Sequence, residues 1–326
     1  MPRLALTLAC WDYDRTLALR VGEVRPEGID LTYFCLPPEQ TFFRQLRNQE
    51  FDASEMSLSS YMIARSRGAT PFIAIPVFPS RIFRHSCIFV NARAGIRRPE
   101  DLAGRRVGVP HYQMTAAVWV RGFLRHDYGV PPEAIQWVEA GEVGDGRDPL
   151  ASLLDDPHGP GERLAAMLEA GSIDALITTY LPASFRRGSP AVRRLFPDPR
   201  RVEEEYFRRT GIFPIMHTVV LREELHARHP WVAESLCKAF EEAKERAWRR
   251  LYDINALAAT LPWLVTEVER TRELMGEDFW PYGVEPNRRT LETLTRYLVE
   301  QKLAERQLPL EELFVAHTPE RKESLP

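Results

Sequence analysis

The sequence predicts an α/β fold with two lobes and a central ligand cleft. Up to Leu221, short apolar runs rich in β-forming residues alternate with amphipathic helical runs. This order is typical of largely parallel sheets covered by helices. After Leu221 the pattern changes to long amphipathic helices, so we expect a helical C-terminal region. The 326 residues are enough for two lobes or for one large domain.

The predicted strands are short runs of apolar, β-forming residues, and the predicted helices are longer runs with apolar residues three and four positions apart. The strands span Arg3–Cys10, Asp30–Cys35, Phe51–Met56, Phe72–Val77, Ser86–Asn91, Arg105–Val109, Ile135–Glu139, Ala175–Thr178 and Thr218–Leu221. The helices span Thr41–Asn48, Leu58–Arg67, Thr115–His126, Glu162–Ala170, Pro230–Tyr252, Asn255–Met275 and Asn287–Gln301.

The order of these elements predicts how the chain divides between the lobes. Lobe one is expected to comprise residues 1–91 and 219–326, and lobe two residues 92–218. Two crossings of this kind form a hinge, and the ligand site is expected in the cleft between the lobes. The Gly-, Asp- and Pro-rich run Asp145–Pro160 is predicted to be a surface loop, and the residues from His317 a tail.

Composition argues against several classes of protein. The net charge is −3, with Arg and Lys interspersed among acidic residues, so neither nucleic acid nor an anionic membrane is an expected partner. No apolar run approaches the roughly 20 residues of a membrane-spanning helix. The apolar start Leu4–Cys10 is short and is followed by Asp12, so it indicates a strand rather than a secretory signal, and a cytoplasmic location is expected. The four scattered cysteines indicate free thiols, and a homo-oligomer stays open.

Polar and aromatic residues follow several of the predicted strands, at the strand ends where open α/β sheets bind ligands. These stretches are CWDYD (10–14), SEMSLSS (54–60), FPSRIFRHS (78–86), HYQMT (111–115) and GIFPIMHT (211–218). The side chains expected to contact a substrate there include Trp11, Asp12, Tyr13, Ser57, Phe83 and Met114.

The stretch His111–Thr115 lies between a predicted strand and a predicted helix. Thr115 can cap that helix, whose first N–H groups and dipole favour an anion. The stretch lacks the flexible glycines that wrap a pyrophosphate, so a planar acid fits better than a nucleotide. Tyr112 would form a wall of the site, and His111 or Gln113 would be hydrogen-bond partners of the acid. The alternative is a capped helix preceded by an exposed polar turn.

Other candidates carry charge or titrate near neutral pH. Arg81 and Arg84 suit bidentate capture of a carboxylate, and His85 follows them directly. The alternative is that one arginine is structural and that His85 is a satisfied strand-edge residue. Glu55 has small and apolar neighbours, where a raised pKa would suit an acid or a base, although it could equally cap a helix. His217 is as consistent with a core position as with a catalytic one.

The sequence offers little support for a metal site. His226 and His229 are three residues apart at a helix start, with no third ligand near, and this pair is more typical of a surface. The histidines of the predicted cleft could meet near Glu55 around a divalent ion, but no spacing signature supports such a site. No organic cofactor is expected.

Four segments together resemble the 4,5-dihydroxyphthalate decarboxylase family. They are CWDYDRT (10–16), FPSRIFRHS (78–86), GVPHYQMTAAVWVRGFLRHDYGV (108–130) and GIFPIMHTVVLREEL (211–225), and the resemblance extends from about residue 3 to about residue 300. It implies a type 2 periplasmic-binding-protein-like fold with two α/β lobes and a central cleft. It also implies a carbon–carbon lyase that converts 4,5-dihydroxyphthalate to 3,4-dihydroxybenzoate and CO2.

The resemblance suggests roles for the cationic residues. Arg81 and Arg84, with the helix start at Thr115, would hold the two carboxylates. His85 or His111 would donate a proton to the ring carbon that loses its carboxylate.

The phenol and the ring would be bound by further residues. Glu55, Asp12 or His217 would accept a proton from the phenol. The aromatic side chains that would enclose the ring and exclude water are Trp11, Tyr13, Phe83 and Tyr112.

Two other functions remain open at this level. A non-catalytic solute-binding protein would use the same cleft and the same carboxylate clamp for a small organic acid. A precursor-synthesising enzyme similar to the thiamine-pyrimidine proteins would need a segment rich in histidine and cysteine, and the four scattered cysteines do not form one.

Overall fold

The computed structural model describes residues 3–139 and 160–316. The strands are β1 (Leu4–Cys10), β2 (Ile29–Cys35), β3 (Ala53–Ser57), β4 (Phe72–Arg81), β5 (Ile88–Asn91), β6 (Arg106–Val109), β7 (Gln136–Glu139), β8 (Ala175–Ile177), β9 (Val192–Arg194) and β10 (Ile215–Arg222). The helices are α1 (Asp14–Arg20), α2 (Pro38–Asn48), α3 (Leu58–Ser66), α4 (Thr115–Tyr128), α5 (Pro160–Ala170), α6 (Ala183–Arg186), α7 (Pro199–Thr210), α8 (Glu223–Arg228), α9 (Trp231–Leu251), α10 (Leu264–Met275), α11 (Arg288–Glu300) and α12 (Leu310–Leu313).

The strands form two sheets, which confirms the predicted two-lobed α/β fold. In the first sheet the order is β2-β1-β3-β10-β4, with β1 parallel to β2 and β3 and with β10 antiparallel to β3 and β4. In the second sheet the order is β7-β6-β8-β5-β9, with β6 parallel to its neighbours and β5 antiparallel to its own. Each sheet therefore contains one antiparallel strand next to a crossing between the lobes. This strand is β10 in the first sheet and β5 in the second.

The two crossings lie a few residues away from the predicted lobe boundaries at 91 and 219. Strand β4 ends at Arg81 and β5, which begins at Ile88, already pairs in the second sheet. On the return, β10 pairs in the first sheet from Ile215 onward. Apolar patterning marks a strand but not the sheet that it joins, because pairing depends on partners far away in sequence.

Several elements differ from the sequence-based expectation. Helices α1, α6, α7, α8 and α12 and the short strand β9 were not predicted. The predicted helix Asn255–Met275 begins only at Leu264, because Pro262 lacks the N–H that a helix interior needs and residues 253–263 form turns instead. The predicted loop Asp145–Pro160 lies, up to residue 159, outside the described residues, as does the predicted tail from His317.

A continuous hydrophobic core joins the first sheet to the C-terminal helices. Helix α9 packs against α1 and β4, and its buried face includes Val232, Leu236 and Phe240. A smaller apolar cluster around Phe89 and Leu164 lies beneath the second sheet. None of the helices in the described parts of the chain has the length and apolar character needed to cross a membrane.

Helix α4 is buried over residues 115–124, and its start forms one wall of the cavity described below. The indole N–H of Trp119 donates to the carbonyl oxygen of Ile215 at 3.0 Å, which ties α4 to the start of β10. Gly122 lets α11 approach, since a Cβ added at Gly122 would stand 2.0 Å from Cε2 of Tyr297. The Tyr297 ring cannot easily move aside, because it lies against the rings of Trp119 and His126.

We therefore predict that Gly122→Ala lowers the free energy of unfolding by about 1–3 kcal/mol, the usual cost of overpacking a core. Urea unfolding followed by circular dichroism measures the change. Gly161→Ala in α5 is the matched control, because the nearest heavy atom to its added Cβ is 4.0 Å away. The control should be neutral or stabilising by a few tenths of a kcal/mol. Equal stability of Gly122→Ala and wild type would contradict the close packing of α4 on α11.

Candidate active site

A cavity of about 860 Å³ lies between the lobes and is lined by both of them. Its walls come from α2, from the β3–α3 junction, from the start of α4, from α5, from the segment after β8 and from the start of β10. The cavity is large enough for a substituted aromatic ring. The charged, titratable and hydroxyl-bearing side chains that line this cavity therefore define the candidate site.

Glu55 and His217 form an ion pair at the floor of this site. In the antiparallel register of β3 and β10, Glu55 lies opposite Val219 and Ser57 lies opposite His217. The two side chains are therefore diagonal neighbours on one face of the sheet. Nδ1 of His217 lies 2.5 Å from Oε1 of Glu55. Glu55 is fully buried, whereas the His217 side chain is 17% exposed and reaches the cavity.

Three further donors surround the Glu55 carboxylate. The hydroxyl of Tyr13 donates to Oε1 at 2.6 Å, and the backbone N–H of Trp11 donates to Oε2 at 3.0 Å. The thiol of Cys10 lies 3.5 Å from Oε2. Burial by itself raises the pKa of Glu55, but the charge and hydrogen bond of His217, followed by the hydrogen bonds of Tyr13 and Trp11, lower the pKa below its usual value. Glu55 is therefore an ionised carboxylate despite its burial.

This arrangement gives His217 a defined orientation. Because an ionised carboxylate only accepts hydrogen bonds, Nδ1 of His217 carries a hydrogen, and Nε2 is the nitrogen left for a ligand. The Glu55 carboxylate fixes the orientation of the imidazole, as an orienting carboxylate does for a catalytic histidine. Phe42 of α2 contacts the His217 ring edge-on, with 4.9 Å between ring centroids. The pair can therefore hold and deliver a proton at the cavity wall.

Arg84 supplies a buried positive charge to the same wall. Its side chain is 7% exposed and lines the cavity. Among the described residues, its hydrogen-bond partners are the sulfur atoms of Met216, at 3.2 Å, and of Cys87, at 3.5 Å. Thioethers and thiols are weak acceptors for a guanidinium. Arg84 and His217 both line the cavity, and a guanidinium with such weak acceptors suits an anionic ligand there.

A cluster of hydroxyl groups joins two helix N-termini at the cavity. The hydroxyl of Thr115 lies 3.0 Å from that of Ser57 and 2.9 Å from that of Ser59, and it accepts the backbone N–H of Ser59 at 3.1 Å. Ser60 is bonded to Ser57 in turn. Helices α3 and α4 thus both begin at this cluster, and their dipoles favour negative charge there.

The stretch His111–Thr115 divides between the cavity and its surroundings. His111, Met114 and Thr115 line the cavity. Thr115 does not cap α4 as expected, because it is the first helical residue and Met114 occupies the N-cap position. Tyr112 instead stacks on the buried guanidinium of Arg121, 3.7 Å from ring centroid to Cζ.

The side chain of Gln113 is also outside the cavity lining. It is completely buried, and neither Oε1 nor Nε2 has a hydrogen-bond partner among the described residues. The backbone carbonyl oxygen of Gln113 accepts the hydroxyl of Ser59 at 2.6 Å. Its observed contact is therefore through the backbone.

His85 lies away from the cavity, in an aromatic cluster. Its ring stacks on Phe123, with centroids 4.1 Å apart, and contacts Phe196, Tyr128 and Tyr206. Burial, with a smaller contribution from the charge of Arg209, lowers the pKa of His85 to about 3. The imidazole is therefore neutral and enclosed by rings.

Arg81 and Phe83 also lie outside the cavity lining. The guanidinium of Arg81 donates to the carbonyl oxygens of Phe213 and Pro281, and burial lowers its pKa. Phe83 packs on Phe213, with 4.8 Å between centroids. Both side chains therefore brace the segment that precedes β10.

The stretch after β1 supports the site from behind. Tyr13 and the backbone of Trp11 hold Glu55, as described above. The Trp11 side chain is 36% exposed, and Asp12 pairs with Arg20 at 3.2 Å on the surface. None of these three side chains belongs to the cavity lining, so among them only Tyr13, through Glu55, connects to His217.

Sequence reasoning missed part of the cavity wall. Glu39 and Phe42 reach it from α2, and Thr178, Thr179 and Tyr180 reach it from the segment after β8. The run TTYLP that follows β8 is a polar and aromatic strand end of the same kind as the five stretches considered. The same rule would have found it.

Among the described residues, no group of three or more His, Cys, Asp or Glu side chains converges as a metal-ligand set. Glu55 and His217 are engaged with each other, and His85 lies in its aromatic cluster. The set of three histidines with Glu55 that was considered for a divalent ion is therefore not assembled here.

The lowered pKa of Glu55 predicts a specific pH dependence of stability. A carboxyl whose pKa falls on folding contributes stability that is present above its unfolded pKa of roughly 4.3 and is lost as pH drops through the folded value. Glu55→Gln should lower the free energy of unfolding at pH 7 by about 1–3 kcal/mol, since hydrogen bonds to a charged group are lost. The difference from wild type should shrink as the pH falls toward about 3.

Urea unfolding between about pH 3 and pH 8 measures this difference. Glu205→Gln, in an exposed ion pair with Arg201, is the control and should leave the pH profile of wild type unchanged. A constant difference between Glu55→Gln and wild type down to the lowest pH would contradict an ionised, buried Glu55.

Comparison with known proteins agrees with this architecture. Residues 25–145 match a family model described as ABC transporter, phosphonate, periplasmic substrate-binding protein. The periplasmic aliphatic sulphonate binding protein SsuA from Escherichia coli superposes with a TM-score of 0.58 at 14% identity, covering 99% of this chain and 95% of that one. The desulfurization enzyme DSZB superposes with a TM-score of 0.54 at 16% identity, covering 96% of both chains. These likenesses show the fold, which both a binding protein and an enzyme share.

Two curated relatives have much higher sequence identity. A Comamonas testosteroni protein named 4,5-dihydroxyphthalate decarboxylase is 41% identical over 326 aligned residues, covering 96% of this chain and 97% of the relative. A Pseudomonas putida protein of the same name is 39% identical over 214 residues, covering 64% of this chain and 83% of the relative. The resemblance drawn from the sequence segments is thereby confirmed. The chain belongs to the 4,5-dihydroxyphthalate decarboxylase family.

Proposed function

We propose that this protein decarboxylates a hydroxylated aromatic dicarboxylic acid, with 4,5-dihydroxyphthalate as substrate and 3,4-dihydroxybenzoate and CO2 as products. The observation that carries the proposal is the ionised Glu55, which holds His217 at the wall of a cavity that the buried Arg84 also lines. The names of the curated relatives support the choice of substrate.

The reaction has clear chemical requirements. Loss of CO2 from an aromatic ring needs a proton at the carbon that carries the carboxylate. It also needs electron density from a hydroxyl group para to that carbon. In 4,5-dihydroxyphthalate each carboxylate has one hydroxyl para to it, so either carboxylate can leave. A site for this reaction must hold one carboxylate, protonate the ring carbon of the other, and exclude water.

The retained carboxylate fits the wall formed by Arg84, Ser57, Ser60 and Thr115. Arg84 offers a guanidinium whose partners among the described residues are sulfur atoms, so a carboxylate would supply the oxygen acceptors that it lacks. The starts of α3 and α4 add favourable dipoles at the same position. This wall would orient the ring with its other carboxylate toward His217.

His217 is the best candidate for the proton donor. Glu55 accepts the Nδ1 hydrogen and orients the ring, which leaves Nε2 as the nitrogen that would deliver a proton to the substrate. His85 is unsuitable because burial lowers its pKa to about 3 and aromatic rings enclose it. His111 reaches the cavity from another wall and is the competing donor.

Apolar side chains beside the pair would strengthen its electrostatics. Phe42, Met114 and Met216 line the cavity near His217 and Thr115. Removal of water from the ring carbon and from the departing carboxylate lowers the local dielectric and destabilises the charged ground state relative to neutral CO2. A non-catalytic binding protein would have the same fold and carboxylate wall, but the curated relatives do not favour it.

Incubation of the purified protein with 4,5-dihydroxyphthalate tests the proposal directly. We expect stoichiometric release of CO2 and 3,4-dihydroxybenzoate, with the 3,4-dihydroxybenzoate detected by chromatography. Parallel reactions with a chelator test for a metal requirement. Tight binding of the acid without product, in reactions with and without added divalent ions, would overturn the decarboxylase proposal in favour of the solute-binding function.

We predict that His217→Asn lowers kcat by about 10²–10⁴-fold, the usual contribution of a general acid. His229→Asn, which removes an imidazole outside the cavity lining, should keep the wild-type rate. His111→Asn discriminates between the two cavity histidines. A loss of less than threefold in His217→Asn, together with a large loss in His111→Asn, would assign the donor to His111 instead.

A further inference from the structure

The proposed reaction leaves one proton without an acceptor. The hydroxyl para to the departing carboxylate must give up its proton while the ring carbon gains one. Glu55 cannot serve, because His217, Tyr13 and Trp11 already occupy both of its oxygens and the side chain is fully buried. Three other carboxylates line the cavity, namely Glu39, Glu162 and Glu169.

Among these three, Glu39 is the carboxylate that a described contact connects to the donor, through Phe42. It lies on α2, three residues before Phe42, so the two side chains share one helix face with Cβ atoms about 5–6 Å apart. Phe42 contacts His217 edge-on at 4.9 Å between centroids. Glu39 is therefore about one helical turn beyond a ring that touches the proton donor. Both Glu39 and His217 line the same cavity of about 860 Å³, which can hold an aromatic ring.

The other two carboxylates are less suitable. Glu169 accepts hydrogen bonds from the guanidinium of Arg187 and from the hydroxyl of Ser189. Glu162 is exposed at the start of α5. Neither is connected through a described contact to the wall that carries His217.

Glu39 is also joined to the opposite lobe. The hydroxyl of Tyr180, from the segment after β8, donates to Oε1 of Glu39 at 2.5 Å. Burial, followed by the hydrogen bond and charge of Glu39, raises the pKa of Tyr180, so its hydroxyl keeps its proton and acts as a donor. A carboxylate oxygen has two lone pairs and Glu39 has a second oxygen, Oε2, so the pair can accept another hydroxyl.

We propose that Glu39 accepts the proton of the ring hydroxyl para to the departing carboxylate, and that Tyr180 fixes Glu39 in position when the lobes are closed. This assignment rests on the proposed decarboxylase function and identifies what the site recognises: a phenol at the end of the ring opposite the carboxylates. It makes Glu39 a catalytic and specificity-determining residue, and Tyr180 a positioning residue.

In each turnover one proton is consumed and a second proton is lent to Glu39 and returned. The protonated His217 gives its proton to the ring carbon, and the para hydroxyl gives its proton to Glu39, so the ring becomes a cyclohexadienone that still carries the carboxylate. The bond from that carbon to the carboxylate then breaks and CO2 leaves. The electron pair restores the aromatic ring as a phenolate, which takes the proton back from Glu39. The net proton consumed is the one from His217, which solvent restores.

Ligand binding tests this assignment without relying on turnover. Phthalate has the same two carboxylates as 4,5-dihydroxyphthalate and lacks both hydroxyls. In a His217→Asn background, calorimetry should show tighter binding of the hydroxylated acid. Adding Glu39→Gln should reduce that preference by about 10–100-fold, the value of a hydrogen bond to a charged group. The affinity for phthalate should change by less than about threefold.

Two further variants test the positioning role of Tyr180 and the specificity of the effect. Tyr180→Phe should reduce the preference for the hydroxylated acid, but by less than Glu39→Gln, because the acceptor is still present and has only lost the hydroxyl that positions it. Glu50→Gln is the control, since it removes a carboxylate just after α2 that pairs with Arg44 outside the cavity. It should change neither affinity. If Glu39→Gln fails to fold, Glu39→Asp should retain part of the preference.

The second measurement is turnover in the protein that keeps His217. Glu39→Gln alone should lower kcat with 4,5-dihydroxyphthalate by about 10²–10⁴-fold. If Glu39→Gln leaves the preference for the hydroxylated acid unchanged while the wild type turns over 4,5-dihydroxyphthalate, the assignment of Glu39 is overturned and the decarboxylase proposal stands. Absence of turnover in the wild type would overturn the decarboxylase proposal and the proton transfer with it.

Discussion

The buried carboxylate of Glu55 is the interaction on which the rest of the site depends. A carboxyl group without partners in this position would take up a proton, because burial disfavours its charged form. It stays ionised because donors from three segments surround it: Trp11 and Tyr13 after β1, Cys10 at the end of β1, and His217 in β10. The order β1-β3-β10 at the centre of the first sheet is what brings these segments together. The geometry of His217 is therefore set by the central strands and not by a mobile loop.

Residues from both lobes and from the crossing between them add a seat for an anion to this pair. Helices α3 and α4 begin at one hydroxyl cluster, and Arg84 lies in the crossing between the lobes. A seat of this kind suits any small acid, and both a sulphonate-binding protein and a desulfurization enzyme share the fold. In the proposed reaction Arg84 and the hydroxyl cluster would bind the retained carboxylate, whereas the pair on β3 and β10 would supply the proton. The contact between Tyr180 and Glu39 joins the two lobes over the same cavity.

Neighbouring residues of one segment have very different environments in the folded chain. Arg81, Arg84 and His85 lie within a single short stretch, and all three were candidates for the site. Arg81 donates to two backbone carbonyls, and His85 stacks on Phe123. Of the three, Arg84 alone lines the cavity. The backbone leaves a strand at Arg81 and enters a short turn at His85, so successive side chains point toward different neighbours.

The sequence by itself determined the α/β class, the late helical region, most strands and the family, because these depend on local periodicity and on contiguous motifs. It also indicated that Glu55, Arg84, His217 and Thr115 are unusual, since each is a polar residue at or near the end of an apolar run. Only the tertiary structure decided which of them meet. Glu55 and His217 are 162 positions apart, and Glu39 and Tyr180 are 141 apart. Such contacts depend on sheet order and lobe closure, which no local pattern encodes.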